Sequence, residues 1–267
     1  MTNTTTRTGY APVNGLQMYY EIHGAGPPLV LLHGGLDTID TCFAQVLPGF
    51  AADRQVIAVE LQGHGHTADV DRPLSYEQMA DAVAALIRHL GLERADILGF
   101  SLGGGAALQT ATRHPDVVHR LVVVSAPFRS DGWFPEVLAG MAAMTVEEMV
   151  GTPWQEAYHR VAPTPEAWPV LIAKVSQLVS GQVHDWSTAV AAITAPTLIV
   201  VGDADSVRPD HATEMFGLLG GGKVDGGMGG LPNAQLAVLP ATTHLDVTSR
   251  VDLMLAIVSP FLDAPTP

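Results

Sequence analysis

The sequence predicts an α/β fold, a mostly parallel sheet with helices on both of its faces. Two observations carry this. Short, wholly apolar runs recur along the chain, as strands buried on both faces require. Stretches with helical periodicity separate them, which is the pattern of strand–helix–strand crossovers.

The elements follow in order. Residues 16–22 (LQMYYEI) read as a strand, and His23-Gly24-Ala25-Gly26-Pro27-Pro28 as the turn after it. Further strands are expected at 29–32 (LVLL), 56–60 (VIAVE), 95–100 (ADILGF), 121–125 (LVVVS), 197–201 (TLIVV) and 236–239 (LAVL). The clearest helix covers 76–90, where Met79, Val83, Leu86, Ile87 and Leu90 share a face. Ser75 is placed to cap it, with Gln78 as capping-box partner, and Gly91 to end it in the left-handed conformation. A second helix starts just after Ser101 and ends near Arg113, ahead of Pro115. A third follows Pro209 through Phe216, and a last covers about 250–259.

One stretch interrupts the alternation. Residues 127–189 hold no strand-like run, and they contain all four Trp: Trp133, Trp154, Trp168 and Trp186. The expected organisation is therefore a core from 1–126 and 190–267, with 127–189 inserted as a helical cap. Its Trp residues either form a small core of their own or line a pocket. Met141, Met144 and Met149 read as cap core, with soft side chains that also suit an apolar pocket. Residues 217–233 (GLLGGGKVDGGMGGLPN) read as a mobile surface loop. They lack the strand, helix and Gly-Lys-Ser/Thr ending of a phosphate-binding loop.

Composition narrows the partners. The chain has 267 residues, 47% hydrophobic and 15% charged, which suits a packed domain and argues against disorder. Its net charge of −14 repels phosphate backbones and anionic membranes, so nucleic acid and membrane are poor partners. One cysteine, Cys42, allows no intrachain disulfide and reads as a small core residue. The polar start MTNTTTRTGY has no signal-like apolar stretch, and no apolar run approaches a membrane span. A cytoplasmic location is expected. Monomer and homodimer both stay open.

The chemistry centres on Gly99-Phe100-Ser101-Leu102-Gly103, a G-x-S-x-G pattern. It joins an apolar strand to a small-residue helix, the context in which a sharp turn lifts a serine above a sheet. The turn also puts the Leu102 N–H at a helix N-terminus, where developing negative charge is stabilised. A serine hydroxyl needs a base. Of 11 His, His244 lies just beyond the strand at 236–239, and strand carboxyl ends are where such sheets build sites. The base needs a carboxylate to hold its tautomer. Asp203 and Asp205 both follow the strand at 197–201; Asp205 sits farther into the loop and is preferred, with Asp203 bracing the turn. A second oxyanion N–H is expected from Gly35, with Leu36 next in line, in the loop His33-Gly34-Gly35-Leu36. His33 reads as a brace for that loop. Candidate substrate contacts are Leu36, Phe100, Trp133, Trp154 and Trp168. His64 and His66 read as bracing or exposed groups without the third ligand a metal needs. Glu147 and Glu148 read as a solvated face, and Asp246 is not taken as the acid.

Taken together, HGG (33–35), GHGHT (63–67), GFSLGG (99–104), GDAD (202–205) and THLD (243–246) resemble the α/β-hydrolase superfamily over nearly the whole chain. The likeness is greatest to its esterases, perhydrolases and carbon–carbon bond hydrolases. It implies an eight-stranded sheet, a cap after the sixth strand, the acid at Asp205, and a cofactor-free acyl transfer through an acyl-enzyme on Ser101. A histidine base implies activity falling below about pH 6. The expected substrate is a small to medium uncharged carboxylic ester. Carbon–carbon hydrolysis or perhydrolysis on the same triad is the alternative reaction, and a non-catalytic ligand-binding homologue the alternative of another class. The chain departs from the family at Glu60, where Asp is commoner, and in the length of the 217–233 segment.

Overall fold

The computed structural model describes residues 6–181, 183–223 and 225–265. Eight strands form one sheet: β1 (Arg7–Val13), β2 (Leu16–His23), β3 (Pro28–Leu32), β4 (Gln55–Val59), β5 (Ala95–Phe100), β6 (Val118–Val124), β7 (Thr197–Ala204) and β8 (Ala234–Thr243). Their order across the sheet is β1-β2-β4-β3-β5-β6-β7-β8. β2 is antiparallel to β1 and β4, and every other pairing is parallel.

The central strands are apolar over most of their length because both faces are covered. Val30 and Leu32 of β3 and Leu121 and Val123 of β6 enter one core, under α3 (Tyr76–His89) and α4 (Leu102–Arg113). Leu29, Leu31, Val122 and Val124 point the other way. They pack beneath α1 (Ile39–Phe43), α2 (Leu47–Phe50) and α11 (Val251–Asp263). Each such side chain contributes about 1.5–3 kcal/mol when fully buried. Between β6 and β7 lie α5 (Pro135–Ala143), α6 (Pro153–Val161), α7 (Trp168–Ser180) and α8 (Ser187–Ala191). Between β7 and β8 lie α9 (Pro209–Leu218) and the short α10 (Gly226–Gly229). Among the described residues no helix is long and apolar enough to cross a membrane.

Three local expectations are corrected. β1 has no counterpart among the apolar runs: as an edge strand it buries Ala11 and Val13 and leaves most of its other residues exposed. The capping box at α3 does not close. Ser75 Oγ accepts the Gln78 N–H, but Gln78 Oε1 is buried without a partner. The Gly-rich segment is not loop throughout, since α9 runs to Leu218 and α10 forms inside it; most of its described residues lie at the surface, but Gly221 is buried. Gly91 ends α3 with φ of 72°, as its sequence position predicts.

Candidate active site

The parallel strands end on one side of the sheet, and the chemistry gathers there. β5 delivers Ser101 through a turn that only small neighbours permit. Ser101 has φ of 53°, a left-handed conformation that is strained for a serine. A Cβ on Gly99 would lie 2.1 Å from the Gly103 carbonyl oxygen, and one on Gly103 would lie 2.2 Å from that of Leu32. The two glycines of the motif therefore let α4 start almost in contact with β3 and β5. Gly103→Ala must displace backbone; we expect a loss of about 3 kcal/mol or more in urea unfolding.

Ser101 Oγ lies 3.0 Å from His244 Nε2, and His244 Nδ1 lies 2.7 Å from Asp205 Oδ1. These contacts define the tautomer: Nδ1–H donates to the carboxylate, and Nε2 is free to take the serine proton. Asp205 is buried, and Gly202 N–H (3.0 Å), Val207 N–H (3.1 Å) and the Ser125 hydroxyl (2.5 Å) also donate to it. Burial alone would raise its pKa, but the bonds from His244, Ser125 and Gly202 outweigh this and leave the carboxyl below its ordinary value. Asp203 accepts the Thr242 N–H at 3.1 Å and makes no contact with His244, so it braces the loop.

Ser125 was not singled out in the sequence. It ends the apolar run of β6, again at a positive φ, 50°, and it orients the acid from the side opposite His244. Its only sequence signal is a polar residue at the carboxyl end of a central strand.

The loop after β3 is held by two reciprocal histidines. His33 Nε2 accepts the Leu61 N–H at 3.1 Å, and His64 Nε2 accepts the Leu36 N–H at 3.2 Å. Each Nδ1–H is spent on a carbonyl, that of Gly34 for His33 and that of Gln62 for His64. Burial holds both rings neutral, with His33 pushed down to about 3 and His64 to about 4. The bond to His64 removes Leu36 N–H from consideration as an oxyanion donor. Among the described residues the N–H groups of Gly35 and Leu102 have no acceptor, and both residues line the cavity at Ser101. His64→Phe leaves Leu36 N–H and Gln62 O unpaired. We expect it to destabilise by about 2 kcal/mol and lower kcat roughly 10- to 100-fold by displacing Gly35. Chemical denaturation and steady-state kinetics check the two effects.

Glu60, the departure from the family pattern, has a structural use. Its Oε2 accepts His66 N–H and its Oε1 accepts Ile39 N–H at the start of α1, a span that joins the two loops. Gly65 makes room for it, since a Cβ there would lie 2.2 Å from the carboxyl carbon.

A cavity of about 400 Å³ opens over Ser101 and His244. Of the candidate substrate contacts, Leu36, Phe100, Trp133 and Trp154 line it. Trp168 does not: it is buried against Tyr158, packed inside the helices that follow β6. Met141, Met144 and Met149, read as core, line the cavity as well. So does Cys42, which is also buried among the residues under α1. Asp37, not anticipated, is the only carboxylate on the wall among the described residues.

Comparison with known proteins identifies the fold. A family model described as the alpha/beta hydrolase fold matches residues 27–159. The chain is similar to a pimeloyl-[acyl-carrier protein] methyl ester esterase of Neisseria meningitidis, 43% identical over 111 residues, which is 41% of this chain and 33% of that protein. It is also similar to a 2-hydroxymuconate semialdehyde hydrolase of a Pseudomonas species, 34% identical over 116 residues, 42% of this chain and 41% of that protein. The matched segments thus span well under half of these relatives. Among solved structures, a serine hydrolase involved in carbazole degradation superposes with a TM-score of 0.75 at 20% identity, over 97% of this chain and 99% of that one.

Proposed function

The chain belongs to the α/β-hydrolase superfamily, and from that premise we propose that it is a serine hydrolase acting on a small to medium carboxylic ester through an acyl-enzyme. The observation that carries this is the hydrogen-bonded chain Asp205–His244–Ser101 beside two unengaged backbone N–H groups. His244 takes the Ser101 proton as Oγ attacks the carbonyl carbon. The tetrahedral oxyanion is held by the N–H groups of Leu102 and Gly35. His244 then gives the proton to the leaving alcohol, and water repeats the sequence on the acyl-enzyme. Asp205 and Ser125 keep the imidazole in register throughout.

Residues 127–189 act in this reading as a cap. They supply Trp133, Trp154, the three methionines and Val175 to the cavity wall. Lys174 Nζ ties α7 to the core by donating to Asp69 Oδ2 (2.6 Å) and to the carbonyls of Val70 (3.0 Å) and Arg72 (2.7 Å).

A carbon–carbon hydrolase is the competing reading, because the relatives include a semialdehyde hydrolase beside the methyl ester esterase. The same oxyanion donors and the same base serve both reactions. A fluorophosphonate probe, followed by intact mass, tests the nucleophile. We expect one label on the parent and none on Ser101→Ala. Release of 4-nitrophenol from short-chain esters, set against cleavage of a vinylogous diketone acid, separates the two reactions. A parent that takes no label and turns over neither substrate would count against any hydrolase reading and favour a binding role.

A further inference from the structure

The wall of the cavity is largely apolar; besides Ser101 and His244 its polar residues are Asp37, Thr41, Cys42, Thr248 and Ser176, whose hydroxyl donates to the Met141 carbonyl. Asp37 is buried, and its Oδ1 accepts the Thr41 hydroxyl at 2.9 Å and the Trp154 indole N–H at 2.9 Å. Oδ2 rests over Gly34, and among the described residues it meets no donor and no ion pair reaches Asp37. A buried carboxylate without a cation is costly. Burial lifts its pKa to about 6, against the pull of Thr41, Trp154 and His244, so it is mostly ionised at neutral pH.

Holding Trp154 does not call for that charge. An amide or hydroxyl oxygen would accept the same N–H, and the same Thr41 hydroxyl, without placing an anion in the cavity. What a carboxylate adds is attraction for a positive group. Three aromatic rings, Phe100, Trp133 and Trp154, share this wall, and ring faces attract cations where water is excluded. The net charge of −14 concentrates cations around the molecule.

We propose that Asp37 and this aromatic wall form a subsite for an ammonium group, so that the substrate cleaved at Ser101 carries a positively charged nitrogen. This rests on the hydrolase reading above for its location, and it narrows the substrate away from the uncharged ester that the sequence suggests.

The test uses Ser101→Ala, which binds without turnover. Calorimetry compares 4-nitrophenyl 4-(trimethylammonio)butanoate with its uncharged isostere, 4-nitrophenyl 5,5-dimethylhexanoate. We expect the ammonium ester to bind about tenfold tighter or more. Adding Asp37→Asn, which keeps Oδ1 as an acceptor, reduces the ratio to about one; affinity for the uncharged ester is its control for an intact cavity. Asp37→Ser, a smaller replacement, does the same. Equal affinity for the two esters, or a preference that survives both substitutions, overturns the proposal. Turnover of the same esters by the parent is measured separately. Binding preference without turnover would keep the ammonium subsite and reject the hydrolase reading.

Discussion

Ser101→Ala is expected to lower kcat by about 10⁴-fold or more while leaving urea unfolding little changed. The alanine removes Oγ and nothing that holds the turn. Ser101 N–H still donates to Val124 O at 2.9 Å, and Ser101 O still accepts Gly105 N–H at 3.1 Å. The residual rate comes from the N–H groups of Leu102 and Gly35. Asp205→Asn is expected to act almost as strongly, by another route. An amide NH₂ facing Nδ1 favours the imidazole tautomer that carries its proton on Nε2, which cannot accept from Ser101. Steady-state kinetics of the two variants, with circular dichroism as a check on folding, decides the matter. A Ser101→Ala protein with near-parental esterase activity would remove the nucleophile from the mechanism.

The second large effect is on stability. Asp37→Asn is expected to stabilise the protein by about 3 kcal/mol at pH 8, and by only about 0.5 kcal/mol at pH 4. The folded pKa of Asp37, raised by burial to about 6, exceeds the ordinary 3.8. Between those values the folded state binds the proton and the unfolded chain does not, so stability falls as pH rises through the interval. Below 3.8 both states are protonated and the difference is gone; above 6 it is complete. His33 and His64 work in the opposite sense. Their folded values of about 4 or lower lie beneath the ordinary 6.5, so the stability they contribute is present above 6.5 and lost as pH falls toward those values. The comparison of parent with Asp37→Asn isolates the aspartate, because the histidines are common to both. Urea unfolding at pH 4, 6 and 8 reads it out. A gap that does not widen with pH would show that Asp37 is not a buried charge.

A gap that widens with pH as expected would also mean that the cavity keeps a destabilising group. Strain lies in the same place: Leu36, Ser101 and Ser125 all have positive φ, and all follow the carboxyl ends of central strands. Sites commonly hold strain and unfavourable charge where function requires them.

The linear sequence by itself determined the strand–helix alternation, the turn at Ser101, and the order Ser101, Asp205, His244. These are local matters. Apolar runs, glycines two residues to either side of a serine, and loops directly after strands are all legible in a short window. Asp205 and Asp203 were separable only as a preference from loop position, and β1 was invisible because an edge strand need not be apolar. Tertiary structure decided what depends on contacts between distant segments. His64 takes up Leu36 N–H across 28 residues and leaves Gly35 as the free donor. Ser125 meets Asp205 across 80 residues. Trp154 reaches the cavity through Asp37, 117 residues away, while Trp168, an equally good candidate by composition, turns into the helical core. A side chain's type sets what it can do, but whether it meets a cavity or a core depends on which helix face is covered, and that is settled only when the segments pack.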